Sequence, residues 1–104
     1  MRDVEFMEEV EEAVDAGLPT FLLFTREQTE ERARLIRGVE RFLRGRPSVR
    51  AFHIDLDTIP TAAGRYTIYT TPAFAVYYRG KMVSKVEGGF QPAHIARTLT
   101  ALLG

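Results

Sequence analysis

The side chains most able to do chemistry in this chain are two histidines and a closely spaced pair of aspartates. The histidines are His53 and His94, and the aspartates form the pattern Asp55-x-Asp57. Two carboxylates without a further acidic or histidine cluster are a weak metal signal, because calcium takes about six to eight oxygen ligands. An aspartate that ends a strand and caps the following turn explains the pair better. We therefore predict no metal site.

The sequence contains no cysteine among its 104 residues. It therefore has no disulfide, no thiolate nucleophile and no cysteine ligand for a metal. The usual inference from cysteine content to cellular compartment is also lost, because a chain without cysteine suits any compartment.

Charge and hydropathy narrow the classes of partner. Fourteen basic residues balance fourteen acidic ones, which argues against a general binder of nucleic acid or of a membrane surface. An arginine stripe on the long helix (Arg34, Arg37, Arg41 and Arg44) fits a charged solvent face better than an RNA site. No apolar run approaches the ~18 residues of a membrane span. The acidic N-terminus lacks a signal core, so a cytoplasmic location is expected.

The first half of the chain alternates helices and strands. Periodicity predicts a helix over residues 3–16, with Asp3 as its cap. A buried strand follows from Thr20 to Phe24. The next helix has two candidate starts, a capping box of Thr25 with Gln28, and Thr29 one turn later.

The second half begins with a strand over residues 49–55 and a short helical turn. Pro72 then opens a strand over residues 73–78, because proline cannot donate to the ladder inside a strand. Residues 82–86 return as its antiparallel partner, and Pro92 begins the last helix. The order is α-β-α-β-α-β-β-α, which predicts a single α/β domain over residues 1–104, with a small mixed sheet.

This order, with Thr71-Pro72 at the entrance of the third strand, resembles the thioredoxin family over nearly the whole chain. The resemblance implies a three-layer sandwich whose four strands lie in the order 49–55, 20–25, 73–79, 82–87. The family's first strand has no predicted counterpart here. Taken alone, Thr71-Pro72 favours an ordinary trans proline, but the resemblance implies a cis proline facing the active site.

Three departures from the family concern its redox chemistry. Thr29-Glu30-Glu31-Arg32 occupies the place of the family's Cys-x-x-Cys, no tryptophan precedes it, and Leu23 replaces the family's buried acid. Thiol–disulfide exchange requires a thiolate, which threonine cannot supply. We therefore predict that the protein is not a dithiol–disulfide oxidoreductase. No catalytic residue and no cofactor are predicted.

Thr29 would need a general base to act as a nucleophile. We place His53 on a strand at the sheet edge and His94 on the last helix, neither of them near Thr29. The expected roles are a helix cap for Thr29 and a surface cation for Arg32.

The first functional hypothesis is a non-redox module that binds a protein or peptide partner beside the Pro72 loop. In this fold the backbone before the proline pairs with an extended peptide, as in strand addition. Phe90 would offer an apolar anchor, and the two glycines would allow close backbone approach. The competing explanation is that the loop is kept only for folding. The predicted peptide-binding residues are Thr29, Glu30, Arg32, Thr70, Thr71, Pro72, Gly88, Gly89 and Phe90.

Two alternatives remain. Without a first strand, Val49 to Ile54 would expose an unpaired edge, and a homodimer could form by pairing these strands across a twofold axis. The protein could also serve as a redox-pathway accessory that has no thiols of its own and uses one from glutathione or a partner.

Overall fold

The computed structural model describes residues 1–103, in which strands and helices alternate except for two consecutive strands before the last helix. The helices are α1 (Glu8–Asp15), α2 (Glu30–Leu43), α3 (Thr61–Arg65) and α4 (Pro92–Leu103). The strands are β1 (Arg2–Asp3), β2 (Thr20–Thr25), β3 (Arg50–Asp55), β4 (Ala73–Tyr78) and β5 (Lys81–Glu87). Within residues 1–103, no helix combines the length and the apolar character needed to cross a membrane.

The strands form one mixed sheet in the order β1-β3-β2-β4-β5. β1 and β2 both pair with β3 in parallel, whereas β2–β4 and β4–β5 are antiparallel. The order predicted for the four longer strands is confirmed. The prediction of a four-stranded sheet is wrong, because the first strand is present.

That first strand is β1. Arg2 and Asp3 lie opposite Phe52 and His53 of β3, and the Val4 N–H extends the pairing by donating to the His53 carbonyl at 3.0 Å. β1 therefore occupies part of the edge that was predicted to be open. Two residues are too few to show the alternation by which a strand is recognised in a sequence.

The start of the first helix also differs from the prediction. α1 begins at Glu8 rather than Asp3, and no side chain caps it. Asp3 instead accepts a hydrogen bond from His53 Nδ1 at 2.8 Å. An aspartate suits either role, and here the buried imidazole on β3 is its partner.

Helices cover both faces of the sheet, so the core has two parts. β2 is buried along its whole length. Because side chains alternate along a strand, Leu22 and Phe24 pack on the side of α1 and α3. Phe21 and Leu23 pack on the side of α2 and α4. Leu23 thus fills an apolar position under α2.

Candidate binding groove

The loop before β4 is held in place by β5. The peptide bond between Thr71 and Pro72 is cis, as the resemblance implied. The backbone N–H groups of Tyr69 and Thr70 both donate to Glu87 Oε1, at 2.5 and 3.0 Å. These two N–H groups hold the pKa of Glu87 below its ordinary value. The Pro72 carbonyl accepts from the Gly88 N–H at 2.7 Å.

Thr71 lies inside this anchored loop, yet its own backbone is unused. Within residues 1–103, neither its N–H nor its carbonyl forms a hydrogen bond. The residue is half-buried and lines a cleft against the start of α2. Backbone N–H and C=O groups are strong donors and acceptors, so those of Thr71 are available to pair with a ligand in the cleft.

The opposite wall of the cleft is the first turn of α2. Thr29 has extended backbone angles, with φ −114° and ψ 164°, and its hydroxyl accepts from the Arg32 N–H at 3.1 Å. This is the geometry of an N-cap residue. The expected capping role of Thr29 is confirmed, and the later of the two predicted helix starts is the right one.

Arg32 is not the surface cation that was expected. Its Nη1 lies 2.9 Å from Asp55 Oδ2, and both side chains are only 17% exposed. Burial by itself raises the pKa of Asp55, but the Asp57 N–H, 2.9 Å from Oδ1, and the Arg32 guanidinium outweigh it and lower the pKa. Asp55 therefore caps the turn after β3, as predicted, and it also anchors α2 to the sheet.

The cleft continues past Pro72 as one groove with two adjoining compartments, which share Glu31, Leu35 and Pro72. The volumes are about 330 Å³ on the Thr71 side and about 500 Å³ on the α4 side. The first is also lined by Thr25, Arg26, Glu27, Thr29, Arg32 and Thr71. The second is also lined by Arg34, Phe90, Gln91 and Pro92.

The structure brings five of the nine predicted binding residues to this groove: Thr29, Arg32, Thr71, Pro72 and Phe90. Phe90 is only 6% exposed and packs edge-on against Phe74, with ring centroids 4.9 Å apart. Phe90 is therefore mainly a core residue that offers little surface to a ligand.

The other four predicted residues lie outside the groove lining. Glu30 faces away and lies 3.7 and 3.3 Å from the guanidinium groups of Arg34 and Arg37. Gly88 packs closely against the loop, since a Cβ on it would lie only 3.3 Å from Thr70 Cγ2. Gly89 and Thr70 do not line either compartment.

Sequence reasoning missed Glu31 and Leu35, which line both compartments. Leu35 was assigned to the buried stripe of α2, but it is only half-buried. The spacing of apolar residues identifies the inward face of a helix, and it gives no sign that one end of that face is left uncovered.

Besides the Arg32–Asp55 pair, a second polar cluster lies beneath α2 and consists of Thr25, His53 and Asp3. The sequence analysis did not predict it. His53 is 5% exposed and lies one strand in from the sheet edge. Its ring bridges Asp3 and Thr25, with Nε2 2.7 Å from the Thr25 hydroxyl oxygen. With a neutral ring, Nδ1–H donates to Asp3 and Nε2 accepts from Thr25. A hydroxyl, an imidazole and a carboxylate in this order also occur in nucleophilic catalysis. Thr25 is only 2% exposed, so the array satisfies buried polar groups and fastens β1 to the sheet.

Neither the Arg32–Asp55 pair nor the Thr25–His53–Asp3 cluster brings together enough ligands for a metal ion in the described part of the chain. Within residues 1–103, no group of three or more histidine, aspartate or glutamate side chains is placed to hold a metal ion. The two oxygens of Asp55 are used by Asp57 and Arg32.

Comparisons with known proteins place the fold. No protein-family model and no curated protein matches the sequence. Among solved structures, a designed protein superposes with a TM-score of 0.88 at 22% identity, covering 99% of this chain and 92% of that one. Thioredoxin from Plasmodium falciparum gives 0.87 at 15% identity, covering 100% and 99%.

Thioredoxin from Trypanosoma brucei brucei gives a TM-score of 0.85 at 21% identity, covering 97% of this chain and 88% of that one. Identities this low carry information on the fold alone. With no cysteine in the sequence, the chain has no thiol of its own for disulfide exchange. The protein therefore has a thioredoxin-like fold that lacks the Cys-x-x-Cys motif.

Proposed function

We propose that this protein is a non-redox binding module that holds an extended peptide segment of a partner protein in the groove beside Pro72. The observation that carries the proposal is the unused backbone of Thr71, a residue that lines the groove, whereas the N–H groups of Tyr69 and Thr70 are bound to Glu87. An extended peptide that pairs with a free backbone edge gains main-chain hydrogen bonds whatever its sequence.

The walls of the groove suit such a ligand. Leu35 and Pro72 give apolar surface in the middle, while charged side chains stand around them. Small binding sites combine apolar lining with a few placed polar groups in this way. Arg32 is part of the wall, and its ion pair with Asp55 holds the first turn of α2 against β3.

The test is selection from a random-peptide display library on immobilised protein, followed by affinity measurements on the selected peptides. We expect Thr71→Arg to abolish binding, because the long charged side chain fills the compartment beside the free backbone. Thr61→Arg is the matched control, since Thr61 is exposed at the start of α3 and does not line the groove. Circular dichroism and the unfolding temperature verify that both variants are folded.

If a folded Thr71→Arg variant binds the selected peptides as well as Thr61→Arg does, the proposal is wrong. The same conclusion holds if the library yields no binder to the wild-type protein. Peptides lost only in Thr71→Arg support the groove as the site.

The alternative of a homodimer formed through residues 49–54 loses its main support. It assumed an unpaired edge on β3, and β1 lies along that edge at Phe52 and His53. The other alternative is a redox accessory that uses the thiol of glutathione or of a partner. No structural feature distinguishes it from the proposed function, because the thiol-bearing molecule would occupy the same groove.

A further inference from the structure

The charged side chains around the groove differ in whether they already have partners, and this difference bears on what the groove selects. We propose that it selects an extended peptide carrying a lysine or arginine two positions from an apolar residue. The inference rests on the proposed function, since it assigns side-chain preferences to the same groove.

Each arginine of the groove is engaged by a carboxylate of the protein. Arg32 lies 2.9 Å from Asp55, Arg26 lies 3.6 Å from Asp57, and Arg34 lies 3.7 Å from Glu30. The first of these pairs is mostly shielded from water, while the other two are exposed at the rim. An acidic ligand would have to compete with these carboxylates for each cation.

The glutamates of the groove are free by comparison. Glu27 and Glu31 line the compartment beside Thr71, and within residues 1–103 neither carboxylate has an ion-pair partner. Glu31 is the better residue for testing the charge preference of the groove, because it also lines the compartment beside α4. A cation that enters either compartment therefore meets an available carboxylate, which gives the groove charge complementarity to a basic side chain.

The apolar part of the groove lies next to Glu31. Leu35 and Pro72 form the wall shared by both compartments, and Pro92 adds to it on the α4 side. In an extended segment, side chains two residues apart point to the same face. A peptide that pairs with the Thr71 backbone therefore sets one apolar side chain against Leu35 and Pro72. The next side chain on that face then lies by Glu31.

The experiment takes a peptide selected on the wild-type protein and replaces each position in turn by lysine, arginine, glutamate or alanine. We expect a basic residue to be favoured two positions from an apolar one, and we expect affinity to fall as salt is raised. Because an exposed ion pair is weak, Glu31→Gln should reduce affinity for the basic peptide by about two- to fivefold.

Charge reversal gives the sharper test. Glu31→Arg should turn the preference at that peptide position from lysine or arginine to glutamate. Glu12→Arg is the matched control: it changes the net charge by the same amount on the exposed side of α1, where Glu12 has no ion-pair partner within residues 1–103.

The outcomes separate this inference from the proposed function. If Thr71→Arg abolishes binding but the peptides show no basic preference, the inference is overturned and the proposed function stands. Equal effects of Glu31→Arg and Glu12→Arg would also overturn it, since only net charge would then matter. If no peptide binds the wild type, the proposed function fails and this inference fails with it.

Discussion

Arg32 lines the groove and forms an ion pair with Asp55. Their side chains meet under the first turn of α2, and each is 17% exposed. Water and salt screen such a pair less than an exposed one. It joins the helix that forms one wall of the groove to the end of β3.

The stability that this pair contributes should depend on pH with a definite sign. The pKa of Asp55 is lowered in the folded protein, so its contribution is fully present above the ordinary value of about 3.9 and is lost as pH falls through the lowered pKa. Asp55→Asn keeps an acceptor for the Asp57 N–H, but it removes the charge opposite Arg32. We expect it to lower the free energy of unfolding by about 1.5 kcal/mol at neutral pH.

Urea denaturation of the wild type and Asp55→Asn, repeated from pH 7 down into the acid range, measures this difference. The difference should shrink below about pH 4. Asp15→Asn is the control, since Asp15 is exposed and has no ion-pair partner within residues 1–103. A difference that stays constant into acid would show that the charge of Asp55 does not stabilise the fold.

At the scale of the elements, α2 and α4 approach closely where Gly38 meets Pro92. A Cβ on Gly38 would lie 2.7 Å from Pro92 Cγ and 3.2 Å from Pro92 Cβ. Glycine normally costs a helix about 1 kcal/mol relative to alanine. Here it gives room for the first residue of α4, and so it helps to set the distance across the α4 side of the groove.

We expect Gly38→Ala to destabilise the protein, because a clash of about 1–3 kcal/mol exceeds the gain in helix propensity. Gly64→Ala in α3 is the matched substitution, since its Cβ would meet nothing within 4 Å. It should stabilise by up to about 1 kcal/mol. Denaturant unfolding of both variants checks the pair. Equal stabilisation by both would mean that α2 and α4 are not packed this closely.

The elements that could be predicted from the sequence are those with a strong local pattern. The apolar run of β2, Pro72 before β4 and Pro92 at the start of α4 each mark a strand or a helix by residue type and spacing. β1 has no such pattern, because it consists of two residues held by β3 and by the Asp3–His53 hydrogen bond.

The groove was predictable only in part for a related reason. The Thr29 cap and the Pro72 loop follow from residue type and from the family resemblance. The role of Glu87 does not, because an acidic residue in a strand gives no sign that it will bind two N–H groups of a loop 17 and 18 residues away along the chain. Pairing across such a distance depends on the assembled sheet.

At the scale of the whole molecule, the structure superposes on thioredoxins over nearly all of its length. The sequence, however, contains no cysteine. The family resemblance aligns residues 29–32 with the Cys-x-x-Cys motif. Introducing cysteines at the two ends of this segment tests the alignment. We expect Thr29→Cys combined with Arg32→Cys to form an intramolecular disulfide and to reduce insulin when dithiothreitol is supplied. A cysteine at the Thr29 position would sit at a helix N-terminus, which favours the thiolate.

The control is the register-shifted pair Gln28→Cys with Glu31→Cys. Mass spectrometry after alkylation reports the disulfide, and insulin precipitation reports the exchange reaction. We expect activity from the 29/32 pair alone, and a slow rate, because the family resemblance aligns Leu23 with the family's buried acid. Activity from the shifted pair and none from a folded 29/32 variant would show that the alignment is wrong; circular dichroism and the unfolding temperature verify folding, because Arg32→Cys also removes the partner of Asp55.

The anchoring of the loop by Glu87 has a consequence for the thermodynamics of binding. A flexible loop loses conformational entropy when a ligand fixes it, and this loss reduces affinity. Here two N–H groups next to Thr71 are already bound before a peptide arrives. The loop is thus preorganised, and in the proposed complex the entropy lost on binding would fall mainly on the peptide. If a peptide binds as proposed, stiffening it in its extended form should therefore improve affinity more than stiffening the loop.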